Sequence, residues 1–263
     1  MVLRTGRFFM KPKKTILITG AATRIGKFIA THFAENGWSV AIHYNTSKQA
    51  AETLVHELTT KNLSIACFQA NLASENSYSD LIERVNNKFG PLHCLVNNAS
   101  SFEYDSAQTV TRKSWDFHME TNLRAPFVLS QKFQAQLPQV TDGNIINILD
   151  QRVWNLTPHF ISYTLSKAGL WALTQTLSLA FAPYIRVNAI GPGPTLMNSN
   201  QTKKHFDSQC KNLPLEKGPE LIEIAKAIEF IISTPSITGQ MLALDGGQHM
   251  GWVFPNQKVS EFD

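Results

Sequence analysis

The feature that most constrains the fold is a regular alternation of short, β-branched apolar runs with longer amphipathic stretches. The pattern begins with Thr15–Thr19 (TILIT), continues through a glycine-containing turn, and reaches an amphipathic stretch over Lys27–Glu35. Short β-branched runs predict buried strands, whereas apolar residues that recur every three to four positions predict helices. Six more predicted strands follow along the chain: Ser39–Tyr44, Ser64–Ala70, Cys94–Val96, Asn144–Leu149, Ile185–Ile190 and Met241–Leu244.

Predicted helices separate these strands. They cover Lys48–Thr60, a stretch that Ser74 caps and that ends at Phe89, and then Thr111–Asn122, Ala125–Leu137, Phe160–Ala182 and Pro219–Ser233. Strict alternation with short connections implies βαβ units, a parallel sheet and right-handed crossovers. We therefore predict an α/β fold: a single doubly wound Rossmann domain over residues 15–251, built on a seven-stranded parallel sheet with helices on both faces. A basic arm over residues 1–14 and a tail over residues 252–263 flank it.

The segment Pro194–Lys217 interrupts this alternation because it is polar and shows no periodic pattern. A structureless loop of this length is uncommon within a compact domain unless it has a function. We therefore interpret residues 194–217 as a substrate loop that covers the site.

Composition excludes several classes of protein. The chain is 43% hydrophobic, 17% charged and carries a net charge of only +4, which is typical of a soluble globular protein and does not indicate a nucleic-acid binder. No apolar run approaches the roughly 20 residues of a membrane-spanning helix. The three cysteines have no metal-ligand spacing, and their odd number favours a reducing compartment. We predict a cytoplasmic protein without a metal or a membrane partner; the basic arm, which has no acidic residue before Glu35, leaves organelle targeting as the alternative.

The turn after the first predicted strand has the features of a phosphate-binding turn. Gly20 and Gly26 are six residues apart with Arg24 between them, and a predicted helix follows. Glycine allows a tight bend and a close approach of the backbone to phosphate, while the N-terminus of a helix favours an anion. The turn therefore predicts a dinucleotide site.

The end of the second predicted strand indicates which dinucleotide is bound. A carboxylate at this point would bind a free ribose 2′-hydroxyl and favour NADH. The sequence instead has HYNTS at residues 43–47, with no acid before Glu52. Asn45, the hydroxyl groups and Arg24 can accommodate a 2′-phosphate, so we predict NADPH as the cofactor. The alternative is that His43 is a satisfied strand-end histidine and that the hydroxyls cap the next helix.

A second group of polar residues lies at the end of the fifth predicted strand and on the helix that follows. Asp150 closes the strand, and Tyr163 and Lys167 are four residues apart, so they share one helix face. Ligands of open α/β sheets bind beyond the carboxyl ends of the strands. A nearby Lys cation lowers the pKa of a phenol, which would suit Tyr163 to proton transfer near neutral pH. We predict that these residues form one reaction centre; the alternatives are an exposed Tyr–Lys pair and an Asp150 paired structurally with Arg152.

These motifs, in this order, resemble those of the short-chain dehydrogenase/reductase family from about Thr15 to Gly247. They are Thr19–Gly26 in the cofactor turn, Asn97-Asn98-Ala99 after strand four, Asn122, Tyr163-x-x-x-Lys167, Gly191-Pro192-Gly193 and Asp245-Gly246-Gly247. The resemblance implies that Asp150, Tyr163, Lys167 and Asn122 are catalytic, with Lys167 and Asn122 orienting the nicotinamide ribose and a proton-relay water. The cofactor contacts that we expect are Gly20, Arg24, Ile25, Gly26, His43, Tyr44, Asn45, Ser47, Asn71, Leu72, Asn98, Ala99, Lys167 and Gly193.

Two departures from the family pattern resemble its pteridine reductase branch, which includes alternative dihydrofolate reductases. Asp150 stands where the family has its catalytic Ser, and Ser100 stands where it has a Gly after Asn-Asn-Ala. In that branch a pterin stacks on the Phe that matches Phe102, and the residues that match Arg24, Ser100, Asp150 and Tyr163 bond its polar edge. The alternatives are that Phe102 packs in the core, that Arg24 serves only the cofactor phosphates, and that Ser100 forms a turn.

We therefore expect an NADPH-dependent reductase of a pterin or of dihydrofolate. Reduction of a C=N bond needs a hydride on carbon and a proton on nitrogen, and a carboxyl group paired with a phenol suits the second step. The alternatives are a carbonyl reductase of the same family, such as one that acts on 3-oxoacyl thioesters, and a non-catalytic NADPH-binding regulator. The family resemblance also implies a homotetramer with the Phe160–Ala182 helix in its interface.

Overall fold

The computed structural model of the chain describes residues 13–138, 142–198 and 201–251. The predicted basic arm, except for its last two residues, and the predicted C-terminal tail lie outside these ranges. Within them, no helix is long and apolar enough to cross a membrane.

Seven parallel strands form one sheet, as predicted. Their order across the sheet is β3-β2-β1-β4-β5-β6-β7, and every neighbouring pair is parallel. The predicted boundaries differ from the observed ones by at most two residues. The strands are β1 (Thr15–Ile18), β2 (Ser39–Tyr44), β3 (Ile65–Gln69), β4 (Cys94–Asn97), β5 (Gly143–Ile148), β6 (Ile185–Pro192) and β7 (Met241–Leu244).

Helices connect the strands. A π turn over Glu120–Arg124 joins α5 to α6, and short 3-10 turns follow β5 at Gln151–Val153 and β7 at Gln248–Met250. The α-helices are α1 (Arg24–Glu35), α2 (Lys48–Thr59), α3 (Glu75–Tyr78), α4 (Leu81–Phe89), α5 (Arg112–Met119), α6 (Ala125–Gln136), α7 (Ile161–Ala180), α8 (Lys203–Lys211) and α9 (Leu221–Ser233).

One helix prediction is wrong. The single helix expected between Ser74 and Phe89 is broken at Ser79 and Asp80, and Ser74 holds the first N-cap position without a side-chain capping bond. Ser and Asp favour such breaks because their side chains compete for backbone hydrogen bonds.

The substrate loop over residues 194–217 is not irregular throughout, because it contains α8. The hydroxyl of Thr202 accepts a hydrogen bond from the backbone N–H of His205 at 3.2 Å and caps this helix. None of the residues of α8 is buried. Only Phe206 and Cys210 are apolar among its nine residues, which is too short an apolar pattern for the sequence to predict a helix.

The core has two halves because alternate strand residues face opposite layers of helices. In β1, Ile16 and Ile18 pack with residues of α1, α2 and α9, whereas Leu17 packs with residues of α4, α6 and α7. All three side chains are fully buried. Cover on both faces explains why the strands are almost continuously apolar, and it confirms the predicted layers.

The sheet changes winding direction between β1 and β4. From β1 the chain proceeds outward to β2 and β3, and from β4 it proceeds outward on the other side to β5, β6 and β7. Loops that leave the carboxyl ends of β1 and β4 therefore diverge and leave a crevice, which is where doubly wound folds bind ligands. Gly20, Asn98 and Asp150 follow β1, β4 and β5, so the predicted binding residues meet at this edge.

Candidate active site

A cavity of about 710 Å³ lies at this edge of the sheet. Every residue predicted to contact the cofactor lines it, and so do the predicted substrate contacts Arg24, Ser100, Phe102, Asp150 and Tyr163. Residues of the substrate loop, among them Leu196 and Phe206, complete the wall. The predicted residues therefore surround one cavity. The hydrogen bonds of each residue show which side chains are free to contact a ligand and which hold the loops together.

The turn after β1 packs closely against itself and the loop after β4 because two of its residues lack side chains. Gly20 has a φ of +62°, and a Cβ at this position would lie 2.9 Å from the Cα of Ala99. A Cβ on Gly26 would lie 2.4 Å from the carbonyl oxygen of Gly20. Beside this turn, α1 begins at Arg24 with no acidic residue in its first turn. A tight turn that exposes its backbone next to a helix N-terminus fits the diphosphate of a dinucleotide.

His43 was predicted to contact the cofactor, but its ring holds the glycine turn in place. Nδ1 accepts a hydrogen bond from the backbone N–H of Gly20 at 3.1 Å, and Nε2 donates to the carbonyl oxygen of Ala70 at 3.1 Å. Burial lowers the pKa of His43 to about 4, so the ring is neutral at physiological pH. A neutral ring with both nitrogens occupied cannot bind a phosphate, so the alternative of a satisfied strand-end histidine is correct. Asn45 and Ser47 are exposed at the same strand end, and the Ser47 hydroxyl makes no capping bond to α2.

Two further residues expected at the cofactor join the loops around the cavity to one another. The side-chain amide of Asn98 donates to the carbonyl oxygens of Thr19 at 2.8 Å and Gly20 at 3.1 Å. Arg24 donates through Nη1 to the carbonyl oxygen of Met197 at 2.8 Å and through Nη2 to that of Leu196 at 3.3 Å. Arg24 therefore ties the substrate loop to the glycine turn across the cavity.

The residues of the predicted reaction centre meet at the end of β5. The hydroxyl of Tyr163 donates a hydrogen bond to Oδ2 of Asp150 at 2.9 Å, and Lys167 donates from Nζ to the carbonyl oxygen of Ile148 at 2.8 Å. Asp150 also pairs with Arg152, as the structural alternative proposed: Oδ2 accepts from Nη1 at 3.1 Å, and Oδ1 accepts from the backbone N–H at 2.9 Å. One carboxylate therefore makes both contacts, so the pairing with Arg152 and the hydrogen bond from Tyr163 coexist.

The expectation that Lys167 lowers the pKa of Tyr163 is wrong. Burial raises the pKa of Tyr163 well above its usual value, and the charge of Asp150 raises it further, while Arg152 opposes the rise. Burial also lowers the pKa of Lys167 to about 8, against the opposing influence of Asp150. Tyr163 is therefore a protonated hydrogen-bond donor at neutral pH, which is the state that a general acid needs.

Asn122 was predicted to be catalytic, but it does not line the cavity and is fully buried behind it. Its Oδ1 accepts from the backbone N–H of Ser101 at 2.7 Å, and its Nδ2 donates to the carbonyl oxygen of Ser101 at 2.9 Å and to the hydroxyl of Ser166 at 3.0 Å. Asn122 lies in the π turn, which interrupts the ordinary helical pattern at this point. Its role in the structure is to attach the loop after β4 to α7.

An aromatic wall stands beside the Tyr163 hydroxyl. Phe102 is stacked on Phe160, with ring centroids 4.6 Å apart and an interplanar angle of 13°, and it meets Tyr163 edge-on at 4.7 Å. Phe102 is 39% exposed, so it is not a core residue. Phe160 was not identified from the sequence as a site residue. Its φ of +56° lies in the left-handed region, which is energetically costly for a bulky side chain.

A buried network that the sequence did not reveal supports this wall. The hydroxyl of Ser162 donates a short hydrogen bond to Oδ2 of Asp105 and accepts one from Nδ1 of His118 at 2.6 Å. Asp105 also accepts from the backbone N–H of Ser162 at 3.2 Å through Oδ1, and from the N–H of Phe160 at 2.8 Å through its carbonyl oxygen. Nε2 of His118 accepts from the backbone N–H of Glu103 at 3.0 Å. The network therefore fastens the Phe102 segment to the first turn of α7.

The fold, the glycine turn and the Tyr163–Lys167 pair define a class, and comparison with known proteins agrees. The model of the short chain dehydrogenase family matches residues 14–208. The chain belongs to the short-chain dehydrogenase family and is an oxidoreductase of that family, as the resemblance predicted. A 3-oxoacyl-[acyl-carrier-protein] reductase of Staphylococcus epidermidis is 33% identical over 242 residues, which cover 90% of this chain and 99% of that protein.

Two solved structures that are similar to this chain are described as alternative dihydrofolate reductases, the branch that the sequence resembles. The FolM alternative dihydrofolate reductase 1 of Brucella canis, complexed with NADP, is 42% identical, with a TM-score of 0.90 over 93% of this chain and 97% of that chain. The Brucella suis protein of the same description, also in complex with NADP, is 42% identical, with a TM-score of 0.90 over 94% of this chain and 99% of that chain. The predicted cofactor agrees with these structures, which contain NADP.

The role of His43 predicts a pH dependence of stability. Because its pKa is lowered on folding, the unfolded chain binds the proton more tightly, so stability is full above pH 6.5 and is lost as the pH falls towards 4. Between pH 7 and pH 5 this residue should cost the wild type about 2 kcal/mol of unfolding free energy. Urea unfolding of the wild type and of His43→Asn at both pH values measures the difference; equal losses in the two proteins would contradict the assignment.

The Asp105 network predicts a large loss of stability from a single truncation. Asp105→Ala should lower the free energy of unfolding by about 2–4 kcal/mol, because it leaves buried donors of Ser162 without an acceptor. The matched control is Asp116→Ala on α5, whose exposed carboxylate pairs with Arg112 at 2.7 Å and should cost less than about 1 kcal/mol. Denaturant unfolding of both variants measures the two losses of unfolding free energy. Similar losses would contradict a stabilising role of the Asp105 network.

Proposed function

We propose that this chain uses NADPH to reduce a C=N bond of a pterin or of dihydrofolate. The observation that carries the proposal is the hydrogen bond from Tyr163 to a carboxylate, Asp150, at a cavity wall that also presents Phe102. The 42% identity to proteins described as alternative dihydrofolate reductases supports it.

The hydrogen-bonding capacity of Asp150 favours a pterin over a carbonyl substrate. An ionised carboxylate offers only acceptors, and a carbonyl oxygen is also only an acceptor, so Asp150 cannot hold a ketone as a Ser hydroxyl would. The amino-pyrimidine edge of a pterin carries N–H donors that a carboxylate can accept. A flat heteroaromatic ring also gains from stacking against an exposed aromatic face such as that of Phe102.

Proton delivery is the task of Tyr163. When bound, NADPH supplies a hydride to the carbon of the C=N bond. Tyr163, held protonated by burial and by Asp150, donates its hydroxyl proton to the nitrogen. The phenolate left behind lies next to the Asp150 carboxylate, and its charge is offset by Arg152 and Lys167 until a proton from solvent restores the phenol. Lys167 also supplies the cation that would bind the cofactor ribose.

A second candidate function is reduction of 3-oxoacyl thioesters, which the 33% identity to a 3-oxoacyl-[acyl-carrier-protein] reductase favours. The deciding experiment is NADPH oxidation with dihydrofolate, dihydrobiopterin, biopterin and an acetoacetyl thioester in parallel. We expect turnover of at least one pterin and little turnover of the thioester. The reverse order would replace the proposal with the second candidate, and NADPH binding without any turnover would favour a non-catalytic regulator.

We also propose that the chain forms a homotetramer through α7. This helix leaves Leu165 46% exposed and Leu179 81% exposed, so it has apolar surface that a second copy can cover. Sedimentation of the wild type tests this state, and a monomer at micromolar concentration would contradict it.

Tyr163→Phe tests the proton donor. The variant should still bind NADPH, while kcat for the pterin falls about 10²–10⁴-fold, because the ring remains but the acid is lost. Tyr184→Phe is the matched control, since Tyr184 is 49% exposed and does not line the cavity. Near wild-type turnover by Tyr163→Phe would mean that another group delivers the proton.

Asp150→Ser tests the choice of substrate. The variant should lose kcat/KM for pterins by about 100-fold or more, while kcat/KM for the acetoacetyl thioester stays level or rises, because a hydroxyl can donate to a carbonyl oxygen. The measured quantity is the ratio of the two values in variant and wild type. A ratio that does not change would assign Asp150 a structural role alone.

A further inference from the structure

Arg152 contacts both the Tyr163–Asp150 pair and the aromatic wall of Phe102 and Phe160. It follows Asp150 by two positions, in the 3-10 turn Gln151–Val153, and only 15% of its side chain is exposed. Its Nη1 donates to the same carboxylate oxygen, Oδ2 of Asp150, that accepts the hydroxyl of Tyr163. The Arg152 guanidinium and the Tyr163 hydroxyl therefore donate hydrogen bonds to the same oxygen atom.

The other side of the guanidinium faces the wall. Its Cζ lies 5.8 Å from the ring centroid of Phe102 and 5.4 Å from that of Phe160. These distances are within the range of attraction between a cation and an aromatic ring. One side chain therefore orients the carboxylate and packs against the surface on which we propose that the substrate stacks.

A carboxylate that bonds its neighbour through only one oxygen can rotate about its Cβ–Cγ bond. In Asp150 both oxygens are held, Oδ1 by the backbone N–H of Arg152 and Oδ2 by its Nη1. The positive charge has a second effect, because a nearby cation makes an acidic proton easier to release. Arg152 is the cation that opposes the raised pKa of Tyr163.

We propose that Arg152 is a positioning residue for the reduction, which aims the Asp150 carboxylate at Tyr163 and sets the pH range in which this pair gives up its proton. The inference deepens the proposed function, and it rests on that function only in the choice of substrate. The role of Arg152 itself requires only that Tyr163 protonates the compound being reduced.

Other charged or titratable groups also face the pair and must be distinguished from Arg152. On α7, Nζ of Lys167 lies 5.9 Å from the ring centroid of Tyr163. On α5, the ring of His118 lies 6.0 Å from that of Tyr163. Burial lowers the pKa of His118, and the charges of Asp105 and Glu103 oppose this change. None of these groups is bonded to the Asp150 carboxylate. Among them and Arg152, only Arg152 both orients this carboxylate and places a positive charge on it.

The test is the pH profile of kcat for Arg152→Met, Arg152→Lys and the wild type, with the substrate of the four-compound panel that the wild type reduces. Arg152→Met removes the charge, so the basic limb should move upward by about one pH unit. Its kcat should fall about tenfold or more, while the Kd for NADPH stays within about twofold. Arg152→Lys keeps the charge but loses the planar guanidinium whose Nη1 bonds Oδ2 of Asp150, so its basic limb should stay near that of the wild type although kcat falls.

Arg124→Met is the matched control. Arg124 also pairs with a carboxylate, that of Glu75 at 2.7 Å, and its Cζ lies 5.8 Å from the ring centroid of Phe127, but it does not line the cavity. Its pH profile should overlay that of the wild type. NADPH binding by fluorescence confirms that each variant is folded.

Each result then supports or overturns the inference. A basic limb that Arg152→Met leaves in place, or that Arg124→Met moves equally, overturns it. If Arg152→Met does not fold, the Lys variant decides: full kcat in Arg152→Lys overturns the positioning role, and a lowered kcat with an unmoved limb supports it. Failure of the proposed function is a separate result, because the wild type would then reduce the thioester and no pterin. A wild type that reduces nothing in the panel overturns both.

Discussion

The hydrogen bond between Tyr163 and Asp150 is the interaction on which the rest of the site depends. It joins α7 to the end of β5, and the bond from Lys167 to Ile148 joins the same helix to the same strand. Because β5 lies next to β4 in the sheet, this junction is fixed relative to the turn after β1 that would hold the cofactor phosphates. The position of one phenol is therefore determined by the parallel sheet itself.

Polar side chains that are buried or half-buried then attach the loops to this framework. His43 and Asn98 hold the glycine turn, Asn122 holds the loop after β4, and Asp105 holds the first turn of α7. Loops at strand ends expose backbone groups that have no partner in the sheet, and each unpaired group is costly when buried. These side chains supply the missing partners, which explains why polar residues concentrate near the cavity without all of them touching a ligand. Arg152 extends the same principle to a side chain, because it fixes the carboxylate that the phenol contacts.

Much of this could be predicted from the sequence, and the physical reason differs from part to part. The strands were predictable because both faces of the sheet are covered, which makes each strand a continuous apolar run. The meeting of Asp150 with Tyr163 was predictable because Asp150 follows β5 at the edge where doubly wound folds bind ligands, and Tyr163 lies in the first turn of the next long helix. The helix α8 was not predictable because it buries no apolar face, and the Asp105–Ser162–His118 network was not, because its members are distant in the chain and belong to no local pattern. The motifs placed His43 at the cofactor and Asn122 in catalysis, but they did not predict the bonds that these side chains make to the backbone. A residue type at a motif position does not indicate where its hydrogen bonds go.

The central claim is that Tyr163, supported by Asp150, protonates the nitrogen of a bound pterin. The most direct measurement is a crystal structure of the protein with NADP⁺ and a pterin that it cannot reduce. We expect the Tyr163 hydroxyl oxygen to lie about 3 Å from the ring nitrogen that receives the proton, with the ring stacked on Phe102. A pterin bound with that nitrogen turned away from Tyr163, beyond the reach of a hydrogen bond or of one bridging water, would contradict it.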